Sequence, residues 1–260
     1  MSESKLVARD VRMAFGGVVA LDRAGVEVHP GRVSGLIGRN GSGKSTLFNC
    51  LTGFLKPTAG TIELDGRDIT SHAPHEVMRA GIARTFQTPR IDFQTTAREA
   101  VLCGLFPRVR HGFLSSLLGL PHALAEERAM QREADAVVER MRMDDWAALQ
   151  VNKLSMGRVR SVEVARAIAA DARYLLLDEP AAGIGRDEMR VLADEIRSLA
   201  ERGIGVLLVE HNFSLIRMLC EDVTVLDTGA VIFKGTPDEA RRDERVMQLY
   251  LGTAAAGEAA

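Results

Sequence analysis

Apolar and polar positions fall into two kinds of segment along the chain. Residues 5–15, 24–28 and 61–64 alternate loosely, which predicts strands with one buried face. V-S-G-L-I (33–37), Y-L-L-L (174–177) and V-L-L-V (206–209) are instead short unbroken apolar runs, as strands buried on both faces of a parallel sheet require. Each of these runs ends in polar or glycine-rich residues: G-R-N-G-S-G-K-S, D-E-P and E-H-N. Ligands in open α/β sheets gather beyond the carboxyl ends of the strands, so the three ends are expected to converge on one site. Roughly 88–170 is helix-rich, with an amphipathic helix predicted over 123–142. V-T-V-L (223–226) and V-I-F-K (231–234) predict a late hairpin turned by D-T-G-A.

The segment G-R-N-G-S-G-K-S (38–45) satisfies the phosphate-binding pattern G-x-x-x-x-G-K-[ST] in full, with a buried strand before it and the helix-forming T-L-F-N-C-L after it. Gly38, Gly41 and Gly43 let the backbone curl so that successive N–H groups face an anion. Lys44 places a point charge on the β- and γ-phosphates, and Ser45 offers a hydroxyl to Mg²⁺. Asn40, Ser42 and Thr46 complete the expected phosphate-binding set. Asp178, after Y-L-L-L, is expected to hold Mg²⁺, and Glu179 to polarise a water in line with the γ-phosphate. His211, after V-L-L-V-E, stands where it reaches the γ-phosphate. A second phosphate-binding layout appears in L-S-M-G-R (154–158), where Ser155 and Gly157 open a helix whose free N–H groups point outward. The expected fold is α/β: a P-loop NTPase core with a mostly parallel sheet, an N-terminal antiparallel β part and an inserted α-helical lobe.

Bulk properties narrow the class further. The 260 residues allow one large domain or two small ones. A net charge of −2 gives no argument for nucleic acid as a partner. Cys50, Cys103 and Cys220 show no ligand spacing, and buried reduced thiols are expected. M-S-E-S-K lacks the apolar stretch of a signal peptide, and no run approaches the ~20 apolar residues of a membrane span. The tail 252–260 is expected to fray.

Taken in order, G-R-N-G-S-G-K-S, Gln87, L-S-M-G-R, L-L-L-D-E-P and E-H-N resemble the ATP-binding cassette ATPases that power membrane transporters. The resemblance spans roughly 5–251, as one domain. It implies a catalytic core over 5–87 and 171–251 and a helical subdomain over about 88–170. It also implies roles by position. Phe15 stacks on adenine, and Gln87 touches Mg²⁺ and the attacking water, so that Ser45, Gln87 and Asp178 form the metal set. Glu179 is the catalytic base and His211 the switch histidine. Two such cassettes pair head to tail, and Ser155 and Gly157 of one close over the ATP held by the other's P-loop.

F-G-G-V-V-A-L-D, G-I-A-R-T-F-Q and V-I-F-K-G-T-P-D-E look like the ATPase of branched-chain amino-acid importers. Such importers imply two cassettes, often different, two membrane permeases and an extracytoplasmic solute-binding protein, with this chain at the cytoplasmic face of the membrane. Urea or amide importers, lipopolysaccharide-export ATPases and non-transport cassette ATPases are the alternatives. The usual L-S-[GY]-G-Q is altered at Met156 and Arg158, and Arg158 is expected to add charge toward the anion. Gly185 stands where the family has Asp or Asn. These departures suggest pairing with a different cassette. Ile91 and Phe93 are expected to face the permease.

Overall fold

The computed structural model describes residues 4–86, 90–108 and 120–249. Gln87 and the tail 252–260 lie outside the described residues. The chain divides into two compact units: one holds the chain up to Ile82, Arg173–Glu179 and the chain from Ile196 onward, the other Ala83–Ala172 and Pro180–Glu195.

Two sheets build the first unit. The antiparallel sheet has the order β2-β1-β4-β5, from β1 (Leu6–Phe15), β2 (Val18–Val28), β4 (Ala59–Leu64) and β5 (Arg67–Asp68). The other has the order β10-β9-β3-β8-β7-β6, from β3 (Val33–Gly38), β6 (Ile82–Arg84), β7 (Tyr174–Asp178), β8 (Gly205–Val209), β9 (Asp222–Asp227) and β10 (Ala230–Gly235). The chain leaves the first unit at Ile82, within β6. β3 pairs in parallel with β8 and β9, and β7 in parallel with β8. Every residue of β3, β7 and β8 is buried, which is why these strands read as unbroken apolar runs. Their carboxyl ends therefore lie side by side, as the sequence predicts.

Helix α1 (Lys44–Leu51) follows β3 and buries Leu47, Phe48 and Leu51 in one core with Leu6, Val11, Leu21 and Val26 of the antiparallel sheet. Full burial of Phe48 contributes about 1.5–3 kcal/mol, so this core fixes the loop that precedes α1. The β9–β10 hairpin turns at Thr228 and Gly229, both at positive φ. Its Gly229 N–H donates to Ser42 O at 3.0 Å and its carbonyl accepts from Asp22 N at 2.9 Å, tying the hairpin to the same loop. The short helices α2 (Pro74–Arg79), α7 (Phe213–Leu219) and α8 (Pro237–Ala240) also lie within this unit.

The second unit is helical. α3 (Ala97–Leu102) opens with a capping box, in which Glu99 N–H donates to Thr96 Oγ1 and Thr96 N–H to Glu99 Oε2. α3 packs on α4 (Pro121–Arg140) and α5 (Met156–Ala169), and an Arg98–Asp135 ion pair at 2.5 Å joins α3 to α4. α4 buries Ala134, Val137 and Val138, the i, i+3, i+4 stripe of an amphipathic helix. α6 (Arg186–Glu201) begins in this unit. The cysteine expectation is corrected in part. Cys50 and Cys220 are buried, but Cys103 is exposed, because it caps the end of the short α3 where the chain passes into a 3-10 turn.

Candidate active site

The P-loop closes on itself through its lysine. Lys44 is buried, and its Nζ donates to Gly38 O at 2.8 Å and Arg39 O at 2.9 Å. Burial pushes its pKa down, while the nearby carboxylates Glu179 and Asp178 pull it back up. Gly43 sits at φ 102°, and a Cβ there would stand 2.8 Å from Ala20 O, so only glycine fits. Gly43 is also the N-cap of α1, and no side chain caps that helix start. The N–H groups of its first turn thus remain available to an anion. Ser42 Oγ is buried with no hydrogen-bond partner among the described residues, an orphaned donor in the wall of the loop. Ser45 and Asn40 are exposed and Thr46 is half-buried.

Phe15 closes β1 and is 48% exposed. It is therefore not a core strand residue. Val18 and Val19 at the start of β2 are exposed as well, giving a small apolar surface that the sequence pattern does not single out.

Two strand ends carry the acid and the histidine. Asp178 ends β7 and is buried. Glu179 adopts φ 49°, a left-handed conformation that costs a non-glycine residue about 1–3 kcal/mol. Its N–H still donates to Val209 O at 2.9 Å, so the strain turns the side chain without losing the register against β8. Glu179 Oε1 lies 2.7 Å from His211 Nε2.

In the helical unit, Ser155 is the N-cap of α5, its Oγ accepting from Arg158 N at 3.3 Å. Gly157 is buried, and a Cβ there would stand 2.6 Å from Gly183 O. Met156 is 66% exposed. Arg158 lies with its guanidinium over the Trp146 ring at 5.2 Å, so its charge is engaged by an aromatic face of its own unit. Gly185 N donates to Glu188 Oε2 at 2.7 Å, half of a capping box at the start of α6 with no cap side chain to complete it. Ile91 and Phe93 separate: Ile91 is a buried anchor and Phe93 is 42% exposed.

This chemistry suits a polyphosphate. A buried cation, an uncapped helix start and an orphaned hydroxyl surround the loop, and a carboxylate oriented by an imidazole stands in the same unit. Among the described residues no group of three or more His, Cys, Asp or Glu is placed to hold a metal. A divalent cation here would draw most of its ligands from phosphate oxygens and water, which is how Mg²⁺ is commonly held beside nucleotides. Among the described residues no helix is long and apolar enough to cross a membrane.

Comparison with known proteins agrees with this geometry. Residues 21–182 match the family described as "ABC transporter", and residues 230–256 match "Branched-chain amino acid ATP-binding cassette transporter". The chain is 35% identical over 98% of its length to the high-affinity branched-chain amino acid transport ATP-binding protein BraF of Pseudomonas aeruginosa, covering 100% of that protein. It is 35% identical to LivG of Escherichia coli, again over 98% of this chain and 100% of the relative. Among solved structures, a nucleotide-free ATP-binding cassette from an ABC transporter superposes with a TM-score of 0.81 at 30% identity, over 95% of this chain and 98% of the other. The ADP conformation of an ATP-binding cassette of an ABC transporter gives a TM-score of 0.81 and 30% identity over 96% and 99%.

Proposed function

We propose that this chain, which belongs to the ABC transporter ATPases, is the ATP-hydrolysing subunit of an importer for branched-chain or other hydrophobic amino acids. The contact that carries the catalytic part of this reading is the 2.7 Å approach of His211 Nε2 to Glu179 Oε1, in the unit that also holds Lys44. Lys44 and the first-turn amides of α1 bind the phosphates, and Phe15 stacks on the adenine. Ser45, Asp178 and Gln87 hold Mg²⁺, which when bound neutralises charge on the β- and γ-phosphate oxygens. Glu179 accepts a proton from the attacking water, and His211 fixes the carboxylate that does so.

Ser155 and Gly157 act in trans, closing over ATP on a second cassette. Each ATP then joins two surfaces, and loss of the γ-phosphate contacts releases them. The bare Gly185, together with Met156 and Arg158, favours a different cassette as the partner. Exposed Phe93 offers an apolar contact to a membrane permease. The assembly contains two permeases, works with an extracytoplasmic solute-binding protein, and places this chain at the cytoplasmic face of the membrane. The amino-acid substrate rests on the likeness to BraF and LivG and on the match over 230–256.

Reconstitution in proteoliposomes tests the reading. ATP hydrolysis is expected to rise when the solute-binding protein is loaded with leucine, isoleucine or valine, and the Glu179→Gln chain is expected to bind ATP without that rise. Stimulation by urea and not by leucine would overturn the amino-acid reading in favour of an amide importer.

A further inference from the structure

The hairpin of β4 and β5 turns on L-D-G-R, with Asp65 at φ 50° and Gly66 at φ 77°, the left-handed pair that a two-residue turn needs. That turn sets Arg67 opposite Leu64 at the edge of the antiparallel sheet. α2 follows and ends on Arg79, and Arg173 immediately precedes β7. The three arginines meet around a cavity of about 580 Å³, which His72, Leu64 and Ile69 also line. Every lining residue belongs to the first unit, and none comes from the P-loop. Arg173 stands at the start of β7 and Asp178 at its end, so roughly 13 Å of strand separates the cavity from that carboxylate.

Two carboxylates share the cavity, and both are already engaged. Asp65 accepts from the Tyr174 hydroxyl at 2.8 Å and is paired with Arg173. Asp68 accepts from the Thr70 hydroxyl at 2.5 Å and from the Thr70 N–H at 2.8 Å, and these bonds hold its carboxyl below the ordinary range. Arg173 is fixed further by donating to Ala80 O at 2.9 Å. Gly81, at φ 105°, leaves room for that guanidinium, since a Cβ there would stand 3.1 Å from Arg173 Nε. Arg173 thus keeps N–H groups to spare beyond those given to Asp65 and Ala80. Arg67 and Arg79 have no ion-pair or hydrogen-bond partner for their side chains among the described residues. Like charges gathered in a concave wall repel one another, and a bound anion relieves that repulsion.

We propose that this cavity binds a small organic anion with at least two negative charges on carboxylate or phosphate groups. The planar forks of Arg67 and Arg79 match the oxygens of either group, and Arg173 adds a guanidinium already held in place. Buried Leu64 and Ile69 give the ligand's carbon skeleton an apolar contact. The volume falls within the range of about 300–1,000 Å³ usual for small-molecule sites. The site is separate from the P-loop, so both are occupied together, and it does not depend on which solute the transporter carries.

Isothermal titration of the full chain, its P-loop filled with ADP, tests this with two probes: succinate, a dicarboxylate, and phenyl phosphate, a phosphate monoester. At least one is expected to bind saturably with a Kd below about 1 mM, and the tighter of the two identifies the head group. Replacing both Arg67→Ala and Arg79→Ala is expected to weaken that binding at least about tenfold and to leave ADP affinity unchanged. Thermal unfolding gives a second reading: the probe raises the Tm of the wild-type chain and not that of the double variant. Without probe the two Tm values are expected to agree, because neither arginine has a partner to lose. Absence of saturable binding by both probes, or binding that survives the double replacement, would overturn the proposal. Binding lost on Lys44→Ala instead would place the anion in the P-loop and overturn it as well.

Discussion

Glu179 and His211 meet at 2.7 Å although 32 residues separate them in the chain, because β7 and β8 are parallel neighbours whose carboxyl ends lie level. The left-handed turn at Glu179 is what aims its carboxylate, since the backbone N–H stays bonded to Val209 O. The pair is therefore an oriented acid in a strained conformation, an arrangement often found at functional sites.

Removing the charge of that acid is expected to separate binding from chemistry. Glu179→Gln is expected to lower kcat by about 10²–10⁴, the range for loss of a general base, with ATP affinity within about threefold of wild type. His211→Ala is expected to cost less, because it frees the carboxylate without deleting it. Steady-state hydrolysis and equilibrium nucleotide binding on the same preparations check both.

In the proposed role, Phe15 acts through its exposed face. Phe15→Ala is expected to weaken ATP binding about three- to tenfold, matching a stacking contribution of roughly 0.5–1.5 kcal/mol, and Phe15→Tyr to leave it unchanged. Binding of inorganic tripolyphosphate, which has no base to stack, is expected to be the same in all three proteins. Competition titrations with the two ligands separate the effects.

Gly157→Ala introduces a methyl 2.6 Å from Gly183 O within one unit. The backbone must shift, at an expected cost of about 1–3 kcal/mol. A lower urea midpoint is expected, together with ATP affinity at the chain's own P-loop that does not change. Equilibrium unfolding and nucleotide titration measure the two.

Asp222, at the start of β9, accepts from Ser34 Oγ at 3.0 Å, and burial raises its pKa above the ordinary 3.8, opposed by Ser34, His29 and Arg32. A folded-state pKa above the unfolded value means the native state holds the proton more tightly. Its contribution is fully present below the unfolded pKa and is lost as pH rises through the folded one. Asp222→Asn keeps an acceptor for Ser34 and never ionises. Its Tm is expected to exceed wild type at pH 7 and the gain to vanish toward pH 4, which differential scanning calorimetry across that range resolves.

The parts of the molecule that sequence made legible are those with strong local rules. Strands β3, β7 and β8 announce themselves as apolar runs because each is buried on both faces. The P-loop is readable because its glycines and lysine answer to backbone geometry and charge, whatever the tertiary context. β5 and β6, two and three residues long, carry too few positions to show a period. Arg158 illustrates a different limit. Its identity suggested charge directed at an anion, but its direction is set by Trp146, a residue brought near by packing. Glu163 was invisible for a related reason: α5 is buried on nearly every side, so periodicity does not distinguish a structural acid from a solvated one.

The central claim is that Ser155 and Gly157 serve ATP held on another cassette. The direct measurement loads the purified transporter complex with an ATP analogue bearing a photoreactive group on the γ-phosphate and maps the adduct by mass spectrometry. Two differently tagged cassettes, whether copies of this chain or this chain and a companion, allow the P-loop lysine to be removed from one at a time. An adduct at residues 155–158 of this chain is expected to survive Lys44→Ala in the same chain and to disappear when the matching lysine of the partner is replaced. Loss of the adduct with Lys44→Ala, and its survival when the partner's lysine is replaced, would contradict the account.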